Sequence, residues 1–165
     1  MNRDNIKIIR SAKRKKTIQA KMVDSKLWIY LPSGLTKAEE QKWITTMIEK
    51  SENQKRRQKL NSDGLLQKRA KELNKEYFNG VLDFDIKYVT NQISKFGSCT
   101  PKTNMIRISD RIAKMPKWVR DYVIIHELAH LDNPNHSRKF WKKVNQYKYA
   151  ERAKGYLIAV GMIDE

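Results

Sequence analysis

Two stretches near the start of the chain alternate between apolar and polar positions. In TIQAKMV, Ile18, Ala20 and Met22 alternate with polar residues, and in KLWIYLP, Leu27, Ile29 and Leu31 do the same. A period of two is that of a strand with one buried face. Asp24-Ser25-Lys26 supplies a turn between them, so residues 5 to 32 read as a basic β-hairpin. Thr36 and Glu39 form a capping box, which starts a helix near Lys37 with Trp43, Ile44, Met47 and Ile48 on its apolar face. SENQKRRQKLN, 51 to 61, is almost entirely polar and continues either as solvated helix or as linker. A second helix is expected after Ser62-Asp63, striped by Leu66, Ala70, Leu73 and Tyr77 and ending at Asn79-Gly80.

FDIKYV (84 to 89) and NMIRIS (104 to 109) are short strand candidates, with GSCTPKT between them as a strand end and turn. Pro116 is placed as an early residue of a third helix that runs through Leu131. Pro134 ends it, because the residue before a proline avoids the α region. Asn135 can cap a fourth helix carrying Ser137 to Tyr147, and RAKGYLIAVG closes the fold. No internal repeat is visible. The expected class is α+β, a small antiparallel sheet packed on helices and preceded by the basic hairpin and first helix. The chain is read as one domain over 1–165, divided into that attachment (1–60) and a catalytic core (61–165).

Composition narrows the partners. No stretch approaches the roughly 20 apolar residues of a membrane span, and MNRDNIKIIR lacks the apolar core of a signal peptide. The single cysteine, Cys99, excludes an internal disulfide framework and fits a reducing compartment, so the expected location is cytoplasmic. The formal net charge is +17, from 35 Lys+Arg against 18 Asp+Glu. Such a field attracts polyanions, nucleic acid first and an anionic membrane surface second. Residues 1 to 60 hold 16 Lys+Arg and 6 Asp+Glu, a net +10, against 19 and 12, a net +7, over the longer remainder. Within the basic part, Trp28 and Tyr30 alternate away from Leu27, Ile29 and Leu31. They either face outward beside the run Lys13-Arg14-Lys15-Lys16, as aromatics and cations do that stack single-stranded nucleic acid, or pack against the first helix.

The chemistry concentrates in HELAHLDNPNH, where all three histidines fall within eleven consecutive positions. His126 and His130, four apart on a helix, project from one face and can close on one cation. Glu127 lies about 100° round the helix from His126, too far to join as a ligand but within reach of a water on the metal. Two imidazoles leave zinc under-coordinated, and His136 is the remaining histidine, beyond a break at Asn133-Pro134 where the chain can turn back. Three His ligands with one open position is a catalytic arrangement, and one cysteine rules out a closed Cys-rich structural site. Zinc suits imidazole ligands, although other transition metals bind three-His sites too. Cys99 either lines the cleft or is a small buried residue.

The gap between His130 and His136 equals that of metzincins, but those carry Gly where this chain has Asn133. No methionine follows His136 before Met162 to form their Met-turn. The chain instead resembles the YgjP-like metallopeptidase domain family, related to the SprT and WLM families. The resemblance rests on RSAKRKKTI, FGSC at 96 to 99, MIRISDRIAKMPKWVRDYVIIHELAHL and NHSRKFW at 135 to 141, in the family's order along nearly the whole chain. KELNKEYFNGVL also looks like the segment before the SprT catalytic core. One departure is Phe96, where the family often has Trp. The resemblance implies a zincin-like core, zinc on His126, His130 and His136, and an acid/base role for Glu127. SprT-type relatives imply proteolysis of DNA-bound proteins.

The expected function is therefore a zinc-dependent hydrolase, a metalloendopeptidase acting on protein or peptide, with DNA as a sequence-independent partner and DNA-associated proteins as substrates. Two alternatives stay open. One is a metal-dependent nucleotide phosphohydrolase; the other is a nucleic-acid-binding module with a structural metal. The nucleic-acid residues expected are Lys13, Arg14, Lys15, Lys16, Trp28 and Tyr30.

Overall fold

The structure, a computed structural model, describes residues 5–161. The chain divides into two compact units, the first ending at Arg56 and the second beginning at Arg57.

In the first unit, β1 (Ile6–Ser11), β2 (Gln19–Val23) and β3 (Lys26–Pro32) form a sheet in the order β1-β3-β2. The expected hairpin is β2–β3 alone, turning on Asp24 and Ser25, both at positive φ (47° and 64°). That is the backbone of a two-residue turn whose twist matches paired strands. The remainder of the expected hairpin region is a separate strand: β1 lies parallel to β3 on its other side. Leu27, Ile29 and Leu31 are buried, with Ile6, Ile8, Ile18 and Ala20 against them. Met47, Ile44 and Ile48 of α1 (Lys37–Asn61) cover that face. The capping box forms as expected: Glu39 N–H donates to Thr36 Oγ1 (3.3 Å), and Thr36 N–H donates back to Glu39 Oε2 (2.9 Å). Residues 51–61 are helical, not linker.

The second unit holds α2 (Leu65–Phe78), β4 (Asp85–Val89), β5 (Gly97–Thr100), β6 (Met105–Ser109), α3 (Lys117–Asp132), α4 (Arg138–Val144) and α5 (Ala150–Ala159). Its sheet has the order β4-β6-β5. It is mixed where the sequence reading made it antiparallel, since β4 runs parallel to β6 and only β5 antiparallel. A parallel pair needs a long connection, and residues 90–104 provide it by laying β5 on the far edge before β6 returns through the middle.

The two edges are treated differently. Beside β4, the Asn61 amide bonds both main-chain groups of Tyr88 (2.8 and 3.1 Å), and the Gln67 amide bonds Ile86 N–H (3.2 Å) and the Phe84 carbonyl (3.4 Å). These amides satisfy groups that an open edge would leave to another strand. Among the described residues, β5 pairs only with β6.

α3 is the central helix. Val119, Tyr122, Val123, Ile124, Ile125, Leu128 and Ala129 are all buried. They join Leu73 of α2, Ile106 and Ile108 of β6, Phe140 of α4 and Leu157 of α5 in one core. Fully burying each large aliphatic side chain is worth roughly 1.5–3 kcal/mol, enough to hold α3 rigidly. Pro116 stands just before α3 as its N-cap, and Ser137, not Asn135, caps α4 by accepting from Phe140 N–H (3.4 Å). A Ser hydroxyl three residues before the first buried aromatic reaches the free N–H directly, whereas Asn135 lies two residues too early.

Candidate metal centre

His126, Glu127 and His130 lie on the last turns of α3, and His136 on the segment between α3 and α4. Ligand-capable atoms of the three histidines all lie within 4.8 Å of one another. His126 Nε2 and His136 Nε2 are 3.2 Å apart. Ligands about 2.05 Å from a tetrahedral ion stand about 3.3 Å from each other, so this separation is that of two ligands on one zinc. His130 Nδ1 faces the Asn133 carbonyl at 3.4 Å, a contact that fixes the tautomer and leaves Nε2 as the lone-pair nitrogen.

The walls are aromatic. Phe140, fully buried, brings its ring centroid to 4.8 Å from His126, 4.5 Å from His130 and 4.8 Å from His136. Trp141 stacks on His136 with 21° between planes, giving the exposed third histidine a fixed ring orientation. Both residues belong to NHSRKFW at 135 to 141.

The electrostatics point the same way. Burial, followed by neighbouring His130 and His136, lowers His126 to about 3, and burial also lowers His130, so both are neutral imidazoles with free lone pairs. Glu127 is 5% exposed and its Oε2 is buried with no hydrogen-bond partner among the described residues. Burial pushes its carboxyl up to about 8, against a smaller lowering by Lys95. Neutral donors around one point, with an orphaned carboxyl beside them, form a site short of positive charge, and a divalent cation fits it. Glu127 is outside the cluster of ligand-capable atoms.

Gly97 explains why FGSC matters, a point the sequence reading left without a physical reason. A Cβ at this position would stand 2.6 Å from Glu127 Cγ and 2.7 Å from Cδ. Only glycine lets β5 pass this close to the carboxylate. Cys99, two residues on, is half-buried and not in the ligand cluster, and burial holds its thiol up to about 11, with Glu127 adding to the shift. It is a protonated neighbour of the site. Arg111 ties down the approach to β5, donating to the carbonyls of Gln92 (2.9 Å), Ile93 (2.7 Å) and Lys95 (3.2 Å).

The remaining expected site residues are in the first unit. Trp28 and Tyr30 are half-buried on the sheet face opposite Leu27 and Ile29, so they do not pack under α1. Lys7 Nζ lies 4.2 Å from the Trp28 ring centroid and Arg14 Cζ 5.1 Å from that of Tyr30. Lys13, Lys15 and Lys16 are exposed in the loop between β1 and β2.

Comparison with known proteins agrees with this geometry. A family model described as YgjP-like, metallopeptidase domain, matches residues 31–154. Among solved structures, the fold is similar to that of the metallopeptidase zymogen abylysin of Pyrococcus abyssi, with a TM-score of 0.50 and 22% identity. That match covers 58% of this chain and 90% of abylysin. The metallopeptidase zymogen jannalysin of Methanocaldococcus jannaschii is similar to the same degree, at TM-score 0.50 and 20% identity over 57% of this chain and 94% of its own. No curated protein matches the chain.

Proposed function

The chain belongs to the YgjP-like metallopeptidase domain family, and is thus a metal-dependent hydrolase; from that premise we propose a zinc endopeptidase with His126, His130 and His136 as ligands and Glu127 as general base. The observation that carries this reading is the convergence of three histidines within 4.8 Å beside a buried carboxyl that is not itself among the ligand atoms. Zinc bound there supplies a Lewis acid that polarises the scissile carbonyl and lowers the pKa of water. Glu127 accepts the proton from the attacking water and returns it to the leaving amine. Gly97 keeps space for the carboxylate, and Phe140 and Trp141 hold the imidazoles in place.

A peptide suits this site better than a nucleotide. β5 is an open edge next to Glu127, and its main-chain groups can pair with an extended chain. Proteins held at DNA are the substrate class we favour, because the excess of cations, +17, recruits them through the nucleic acid.

The test is Glu127→Gln. It should retain the metal and lose at least about a hundredfold in cleavage of unfolded protein. The wild type is incubated in parallel with nucleoside triphosphates. Phosphate release without proteolysis would replace this reading with the phosphohydrolase, and nucleic-acid binding without hydrolysis of either would replace it with the binding module.

A further inference from the structure

The open face of the β1-β3-β2 sheet has an order that hydrolysis does not require. Residues paired across strands project from the same face, so the register gives its composition. One row is Lys7, Trp28 and Lys21; the next is Ile9, Tyr30 and Gln19. Lys7 and Lys21 are exposed, and the first of them lies against the indole. Arg14 lies against the Tyr30 ring and donates to Gln19 Oε1 (3.4 Å). No carboxylate occupies this face of the three strands. The acidic partners of the unit are elsewhere: Glu40 pairs with Arg10, whose register partner Leu31 belongs to the covered face. Two aromatics on the central strand, each attended by a cation, and a loop with three more lysines thus form a basic, aromatic face outside the buried core of this unit.

We infer that this face is a stacking platform for single-stranded DNA. Charge complementarity selects a polyanion, since residues 1 to 60 hold 16 Lys+Arg against 6 Asp+Glu. The rings select one with exposed flat apolar faces, which a single strand offers and a duplex keeps stacked inside. Positions 28 and 30 are two residues apart on a strand, about 6.7 Å. That is roughly twice the 3.4 Å base spacing of a duplex strand, so successive bases are received splayed and extended. Lys7 and Arg14 move from the rings to phosphates as bases take their place, and Lys13, Lys15 and Lys16 follow the backbone. The docking serves the proposed action on DNA-held proteins and rests on that reading for its use, but not for the binding itself.

The experiment is fluorescence anisotropy of a labelled oligo-dT with the full chain, with no peptide present, so its outcome is independent of whether the chain is a peptidase. Binding should fall steeply with salt. Trp28→Ala with Tyr30→Ala should weaken it by about thirtyfold or more, with the salt slope unchanged. Trp28→Phe with Tyr30→Phe, which keeps the packing and a ring at each position, should stay within about threefold. Charge reversal at Lys13, Lys15 and Lys16 should instead flatten the salt slope. Equal binding of an abasic oligonucleotide or of duplex DNA, tighter binding of oligo-rU, or unchanged binding by the double Ala variant would overturn the platform.

Discussion

At the scale of single residues, the centre depends on a glycine as much as on its histidines. Gly97→Ala puts a methyl group into the volume that the Glu127 side chain occupies, so β5 or the carboxylate must shift. A displacement near 1 Å at a reacting group costs about a hundredfold in turnover. We expect that loss with full metal content, because position 97 contributes no atom to the histidine cluster; unchanged turnover in a peptide-cleavage assay would show that Glu127 is not held by this contact. The metal cluster was legible in the sequence because helix periodicity fixes where residues four apart project. Gly97 was not, since its partner is thirty positions away and no local pattern announces such an approach. The same holds for Phe140, which meets all three imidazoles, and for Trp141, which meets two, because these contacts depend on how α4 packs.

At the scale of elements, what the sequence conveyed was local. Helix starts, the Asp24-Ser25 turn and the strand segments all came from patterns within a few residues. Strand partners did not: β1 beside β3, and β4 beside β6, are parallel pairings joined by long connections and leave no turn signal. A second long-range feature is the ion pair of Arg69 on α2 with Asp121 on α3, bidentate at 2.9 and 2.8 Å, with the Asp121 side chain 6% exposed. It sits one and a half turns before His126 and ties α3 to α2. Asp121→Ala leaves the half-buried guanidinium without its main partner and should cost about 2 kcal/mol in urea unfolding. Arg69→Met with Asp121→Leu removes both charges and should cost less than that single change. The reverse order would mean that the pair contributes stability beyond its own charges.

At the scale of the whole molecule, the chain combines a strong positive charge with a cluster of three histidines beside a buried carboxyl. No described helix is long and apolar enough to cross a membrane. The charge was readable from composition, and its arrangement around Trp28 and Tyr30 needed the register of three strands. Three histidines of the α3–α4 segment are proposed to hold a catalytic metal. Elemental analysis of the purified chain tests it most directly. About one zinc per chain is expected in the wild type and in Glu127→Gln, with most of it lost in His126→Ala. A chain with no stoichiometric transition metal, or one whose metal content is unchanged after His126, His130 and His136 are all replaced, would contradict the account.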